Sequence, residues 1–140
     1  MTKTSSDADR ALLEAAQRII AARYTENRHH IGAALRTRSG RVYTAVHLDT
    51  YVGRASVCAE AIAVGQALSA GDGEIECIVS VRHPRPREAN REIHAVSPCG
   101  VCREMLADFA PGCTVLVPGA GGLERVPIGQ LIPNKYVRKP

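Results

Sequence analysis

The stretch ASVCAEAIAVGQALSAG (Ala55–Gly71), followed by ECIVSVR (Glu76–Arg82), decides the architecture. The first part predicts a helix that opens with a cysteine and a glutamate and stops near Gly71–Gly73. The second is a short, almost unbroken apolar run of the kind a strand shows when both its faces are buried. The pattern then repeats. SPCGVCREMLADF (Ser97–Phe109) predicts a helix with Pro98 at its first position and Cys102, Met105, Leu106 and Phe109 on one face. Gly112 ends it, and CTVLVP (Cys113–Pro118) supplies another buried strand. Two helix-strand units in succession call for right-handed crossovers that cover the faces of a sheet.

Working outward, Leu12, Leu13, Ala16, Ile19 and Ile20 recur at helical spacing behind the polar starters Ser6 and Asp7, which predicts a helix over about Asp9–Arg23. HHIGAALRTRSGRVYTAVHLD (His29–Asp49) reads as a hairpin turning at Ser39 and Gly40, with Ile31, Ala33 and Leu35 alternating on one side. Near the end, PGAGGLE (Pro118–Glu124) reads as a plain turn, and VPIGQLIP (Val126–Pro133) as a last helical turn. The predicted fold class is α/β, a mixed sheet between helices, in one domain over residues 1–140.

The bulk properties agree with this. At 140 residues and 15.0 kDa, with 45% hydrophobic and 23% charged residues, the chain can bury a core without disulfide staples. It has no apolar run of membrane-spanning length, and its start lacks the apolar stretch of a signal peptide, so the expected location is the cytoplasm and no membrane partner is expected. In that compartment five cysteines point to metal binding, catalysis or burial, and an odd number argues against a complete disulfide framework. The net charge of +4 sits largely in RHPRPREANR (Arg82–Arg91), expected to be an exposed loop. With 4% aromatics the chain has few stacking platforms for bases, so nucleic acid is not an expected partner.

Three cysteines carry the chemistry. If the strands after the two helices are parallel neighbours, both helix starts fall at one edge of the sheet, and Cys58, Cys99 and Cys102 converge. Three thiolates and a water make the catalytic zinc pattern, in which the metal brings the pKa of water toward neutrality. A structural site would need a fourth protein ligand such as His94. Glu60, two residues after Cys58, stands beside the metal without having to bind it, and can carry protons. Cys77 and Cys113 lie in apolar strands and read as small buried hydrophobes.

Through VCAE (Val57–Glu60), SPCGVCREML (Ser97–Leu106), IGAAL (Ile31–Leu35) and PIGQLIPNKY (Pro127–Tyr136), the chain resembles the cytidine deaminase family, and within it the blasticidin S deaminases. The resemblance implies a three-layer α/β/α domain, a homotetramer with active sites near subunit boundaries, zinc as cofactor, Cys58, Cys99 and Cys102 as its ligands and Glu60 as the catalytic proton shuttle. It also implies that Ala59 and Ser97 hold the pyrimidine edge and that Tyr136 lies near the substrate. Its implied activity is hydrolytic deamination of a cytosine-type nucleoside or analogue (cytidine, deoxycytidine or a blasticidin S-like compound) to the uracil form with release of ammonia. The alternative is a catalytically silent zinc-binding relative, which would have no need of Glu60. Three substrate positions depart from the pattern. His47 and Asp49 replace an asparagine and a glutamate that grip the ribose, and His29 stands where an aromatic is common. Ala61 replaces an arginine that balances the thiolates, which leaves Arg103 and two helix dipoles for that role.

Overall fold

The structure, a computed structural model, describes residues 3–4 and 6–140. Helix α1 (Asp7–Arg23) starts two residues before its expected position because Ser6 closes a capping box with Asp9, each side chain bonding the other's backbone N–H. Strands β2 (Ile31–Thr37) and β3 (Val42–Val46) form the expected hairpin, with Gly40 at φ 92° in its turn. Helix α2 (Ala59–Ser69) leads to β4 (Ile75–Arg82), and helix α3 (Gly100–Phe109) to β6 (Thr114–Gly119).

Three strands escape the sequence reading: β1 (Lys3–Thr4), β5 (His94–Val96) and β7 (Gly122–Pro127). The first two are too short for periodicity to register. The third is hidden by Glu124 and Arg125 at its centre, so PGAGGLE turns out to be a tight hairpin with a strand on either side, Gly119 opposite Gly122. Pro98 is also displaced from its expected place: Cys99 is the N-cap of α3, and Pro98 precedes the cap.

The strand order is β1-β7-β6-β4-β2-β3, with β5 extending the β6 side of β4. Among the described strands only β4 and β6 run parallel, paired from Cys77–Thr114 to Val79–Leu116; the other pairings are antiparallel. One face carries α1, whose Leu12, Ala16 and Ile20 meet Ala34, Cys77, Val79 and Leu116. The other carries α2 and α3, whose Ala63, Val64, Ala67 and Leu106 meet Leu35, Ile78, Val115 and Val117. This is the three-layer α/β/α arrangement.

The layering explains why β2 does not alternate as expected. Ala33, Ala34 and Leu35 are all fully buried, because helices cover both faces of this central strand. Its Gly32 is required by the approach of α1: a Cβ there would lie 2.8 Å from the Ala16 carbonyl oxygen and 2.9 Å from Ile20 Cβ. The arginine-rich loop is pinned down. Glu88 takes a fork of two N–H bonds from Arg82 and a third from the Arg85 backbone, while Arg85 reaches across to Glu26 at 3.0 Å.

Candidate active site

The parallel pair β4 and β6 sets the site, since the helices preceding two parallel neighbours begin at the same edge of the sheet. Cys58 is the N-cap of α2 and Cys99 the N-cap of α3. Cys102 lies one turn into α3, buried. The Sγ atoms of Cys58 and Cys99 are 3.7 Å apart, and all three thiols lie within 4.8 Å of one another. Among the described residues this trio is the group able to hold a metal; His94, the candidate fourth ligand, is exposed on β5 and stands outside it.

Burial lifts the Cys58 and Cys102 thiols above the ordinary thiol range, and the Glu60 carboxylate pushes the same way. At Cys99 burial also opposes ionisation, but it is outweighed by the Cys102 backbone N–H and the neighbouring thiols, so its pKa falls. Three converged soft donors, one already biased toward thiolate by helix N–H groups, would suit zinc.

Beside the thiols is a cavity of about 150 Å³. Cys58, Ala59 and Glu60 line one side, and Ser97 and Cys99 another. Glu60 is 5% exposed, lines the cavity, and its carboxylate has no hydrogen-bond partner among the described residues. Ala59 is the first residue of α2, where backbone N–H groups lack intrahelical partners. His47 also lines the cavity, half-buried, with its pKa lowered by burial first and then by the His30 ring. Ile31 and Val96 complete the wall. The sequence offered no signal for these two beyond their neighbours, since apolar residues of a strand read as core.

The other three candidates for substrate contact lie elsewhere. Asp49 and His29 are outside the cavity, in a neighbouring depression with Arg28 and Thr50. The Asp49 backbone N–H is held by the Arg28 carbonyl, and His29 Nδ1 by the carbonyl of His47 at 2.8 Å. Tyr136 is 77% exposed in a groove along α3, where Lys135 bridges Glu104 and Asp108. Arg103 is also committed away from the thiols. Its Nε donates to the Pro98 carbonyl at 2.8 Å and its Nη1 to the Leu131 carbonyl at 3.0 Å, so it ties the C-terminal segment to the cysteine loop.

An α/β/α sheet with three cysteines and a glutamate at the starts of its two neighbouring helices defines a class, the zinc-dependent deaminases of the cytidine deaminase fold. The chain belongs to the cytidine and deoxycytidylate deaminase family, matching its zinc-binding region over residues 6–117. It is 49% identical over 133 residues to a blasticidin-S deaminase of Bacillus cereus, covering 95% of both chains. Among solved structures it superposes on the cytidine deaminase from Bacillus anthracis with a TM-score of 0.77 at 25% identity, over 93% of this chain and 90% of that one. With the cytidine deaminase from Burkholderia pseudomallei the TM-score is 0.73 at 27% identity, over 91% and 98%. The protein is a deaminase with a zinc-binding region, and among its described residues no helix is long and apolar enough to cross a membrane.

Proposed function

We propose that this chain hydrolyses the exocyclic amine of a cytosine-type nucleoside or nucleoside analogue, with Cys58, Cys99 and Cys102 as zinc ligands and Glu60 as the catalytic acid-base. The observation that carries the reading is the cavity. At about 150 Å³ it is the size of a site that holds one six-membered ring, and Glu60, Cys58 and Cys99 all line it. Zinc held by the three thiols supplies a Lewis acid that makes water a nucleophile near neutral pH.

The chain's own residues perform the remaining work. Glu60, without a hydrogen-bond partner among the described residues, takes a proton from the attacking water and returns it to the ring nitrogen; a second proton from the water leaves with the amine. One C–N bond breaks, one C=O forms, and the products are ammonia and the uracil form. The Ala59 N–H and the backbone around Ser97 hold the polar edge of the ring. Whatever substituent the ring bears lies outside this small cavity, near His47.

The 49% identity to a blasticidin-S deaminase supports a nucleoside antibiotic of that type as a substrate. The homotetramer belongs to the same reading, and exposed side chains such as Tyr51 (94%) and Val101 (74%) are ones it could cover. In such an assembly Tyr136 serves across a subunit boundary, since within one chain it stands in its own groove. The reading places the enzyme in the cytoplasm as one catalytic domain. The test is ammonia release from cytosine, cytidine, deoxycytidine and blasticidin S by zinc-loaded protein. Turnover of blasticidin S or a cytosine nucleoside is the expected result, and no release from any of the four overturns the reading. Sedimentation of the same sample tests the assembly, with a monomer as the result against it.

A further inference from the structure

Three contacts lock His47. The backbone N–H groups of His30 and Ile31, at the start of β2, both donate to its Nδ1, at 2.9 and 3.0 Å. From the other side His29 Nδ1–H donates to its backbone carbonyl at 2.8 Å. A ring nitrogen that accepts two N–H bonds carries no proton, so the hydrogen of the neutral imidazole sits on Nε2. That Nε2 has no partner among the described residues and is not sealed off, while the ring itself lines the cavity. Protonating Nδ1 would turn two donors against a donor, and burial favours the neutral ring as well.

We propose that His47 is a specificity-determining residue that presents the substrate with one fixed N–H donor and no acceptor, selecting cytosine derivatives whose substituent carries a hydrogen-bond acceptor beside the ring. The inference rests on the deaminase reading above and sharpens its substrate class. An amide side chain in this place could turn to offer either a donor or an acceptor; the imidazole, clamped through Nδ1, cannot. The same contacts give His29 a part that its sequence position does not suggest. It holds the backbone of His47 without reaching the cavity itself.

Two measurements on the zinc-loaded protein test this. Nitrogen-15 NMR of histidine-labelled protein, with His47 assigned by its disappearance in His47→Asn, should show the neutral Nε2–H tautomer; an Nδ1–H tautomer or an imidazolium at neutral pH overturns the proposal. The second compares kcat/KM for cytidine, for the cytidines lacking each sugar hydroxyl in turn, and for the corresponding methyl ethers, which accept but do not donate. At one position the deoxy compound should fall by at least about tenfold and the ether should stay close to cytidine, and His47→Ala should abolish that gap. A gap unchanged in His47→Ala, or an ether as poor as the deoxy compound at every position, overturns the assignment of His47 alone. Failure to deaminate any cytosine compound overturns the deaminase reading together with it.

Discussion

In the proposed mechanism Glu60 is the residue on which activity and metal binding separate. It is buried at the cavity wall, has no hydrogen-bond partner among the described residues, and lies outside the group of thiols that can hold zinc. Glu60→Gln keeps the shape and removes the titrating group. It is therefore expected to retain zinc, measured by metal analysis, while turnover drops about 10²- to 10⁴-fold. The pairing of Cys58 with Glu60 was legible in the sequence because cysteine and glutamate two residues apart at a helix start serve no packing purpose. His47 was legible as a position but not as a chemical state. Its tautomer follows from the N–H groups of residues 16 and 17 positions away, which only the hairpin pairing brings to it.

At the scale of elements, the cysteine-bearing loop before α3 depends on Arg103, whose guanidinium joins the carbonyls of Pro98 and Leu131. Arg103→Ala leaves every thiol in place but removes two charge-assisted bonds, a loss of about 1–3 kcal/mol. Zinc is expected to pass to a chelator faster than from the parent at a temperature where both are folded; equal transfer rates would show that the tie does not support the metal loop. Glu88 controls the arginine-rich loop. Its carboxylate, held first by Arg82 and then by the Arg85 backbone N–H, has its pKa lowered from an ordinary 4.5 to about 2. A carboxylate depressed by folding contributes its stabilisation in full above its ordinary value and loses it as pH falls toward the folded one. The loop should stay fastened above pH 4.5 and loosen as pH falls from there toward about 2, seen as loss of amide-exchange protection at Arg85. Glu88→Gln should remove that step. Sequence patterning marked this segment as exposed, since the ion pairs that hold it join Arg82 to Glu88 and Arg85 to Glu26 across a turn and between distant segments.

For the whole molecule, a zinc held by the three thiols would link the two halves of the α2–α3 layer. Cys58 belongs to one helix, Cys99 and Cys102 to the other, and the two helices otherwise meet through few side chains. Because a metal bound to the folded state and not to the unfolded chain stabilises the fold by mass action, stripping zinc should lower the Tm. Adding it back should restore the Tm in the parent, and should fail to do so in Cys99→Ala. An unchanged Tm on stripping, measured by calorimetry, would show that the layer holds without the metal.

By itself the sequence determined the helices α1, α2 and α3, the hairpin, the two buried strands and the three cysteines with their glutamate, because helical period, apolar runs and cap chemistry are local. It also implied the layering, since helix-strand units admit few connections. Only the tertiary structure decided what depends on distant pairing. The parallel contact between β4 and β6 brings two helix starts together, the charged strand β7 exists because β6 and β1 flank it, and β2 is buried on both faces because α1 covers one and α2 the other. The same holds for the substrate positions. His47 reaches the cavity, whereas Asp49, two residues along the chain, and Tyr136, at its end, do not, because the direction of a side chain is set by the elements around it and not by its spacing from a motif.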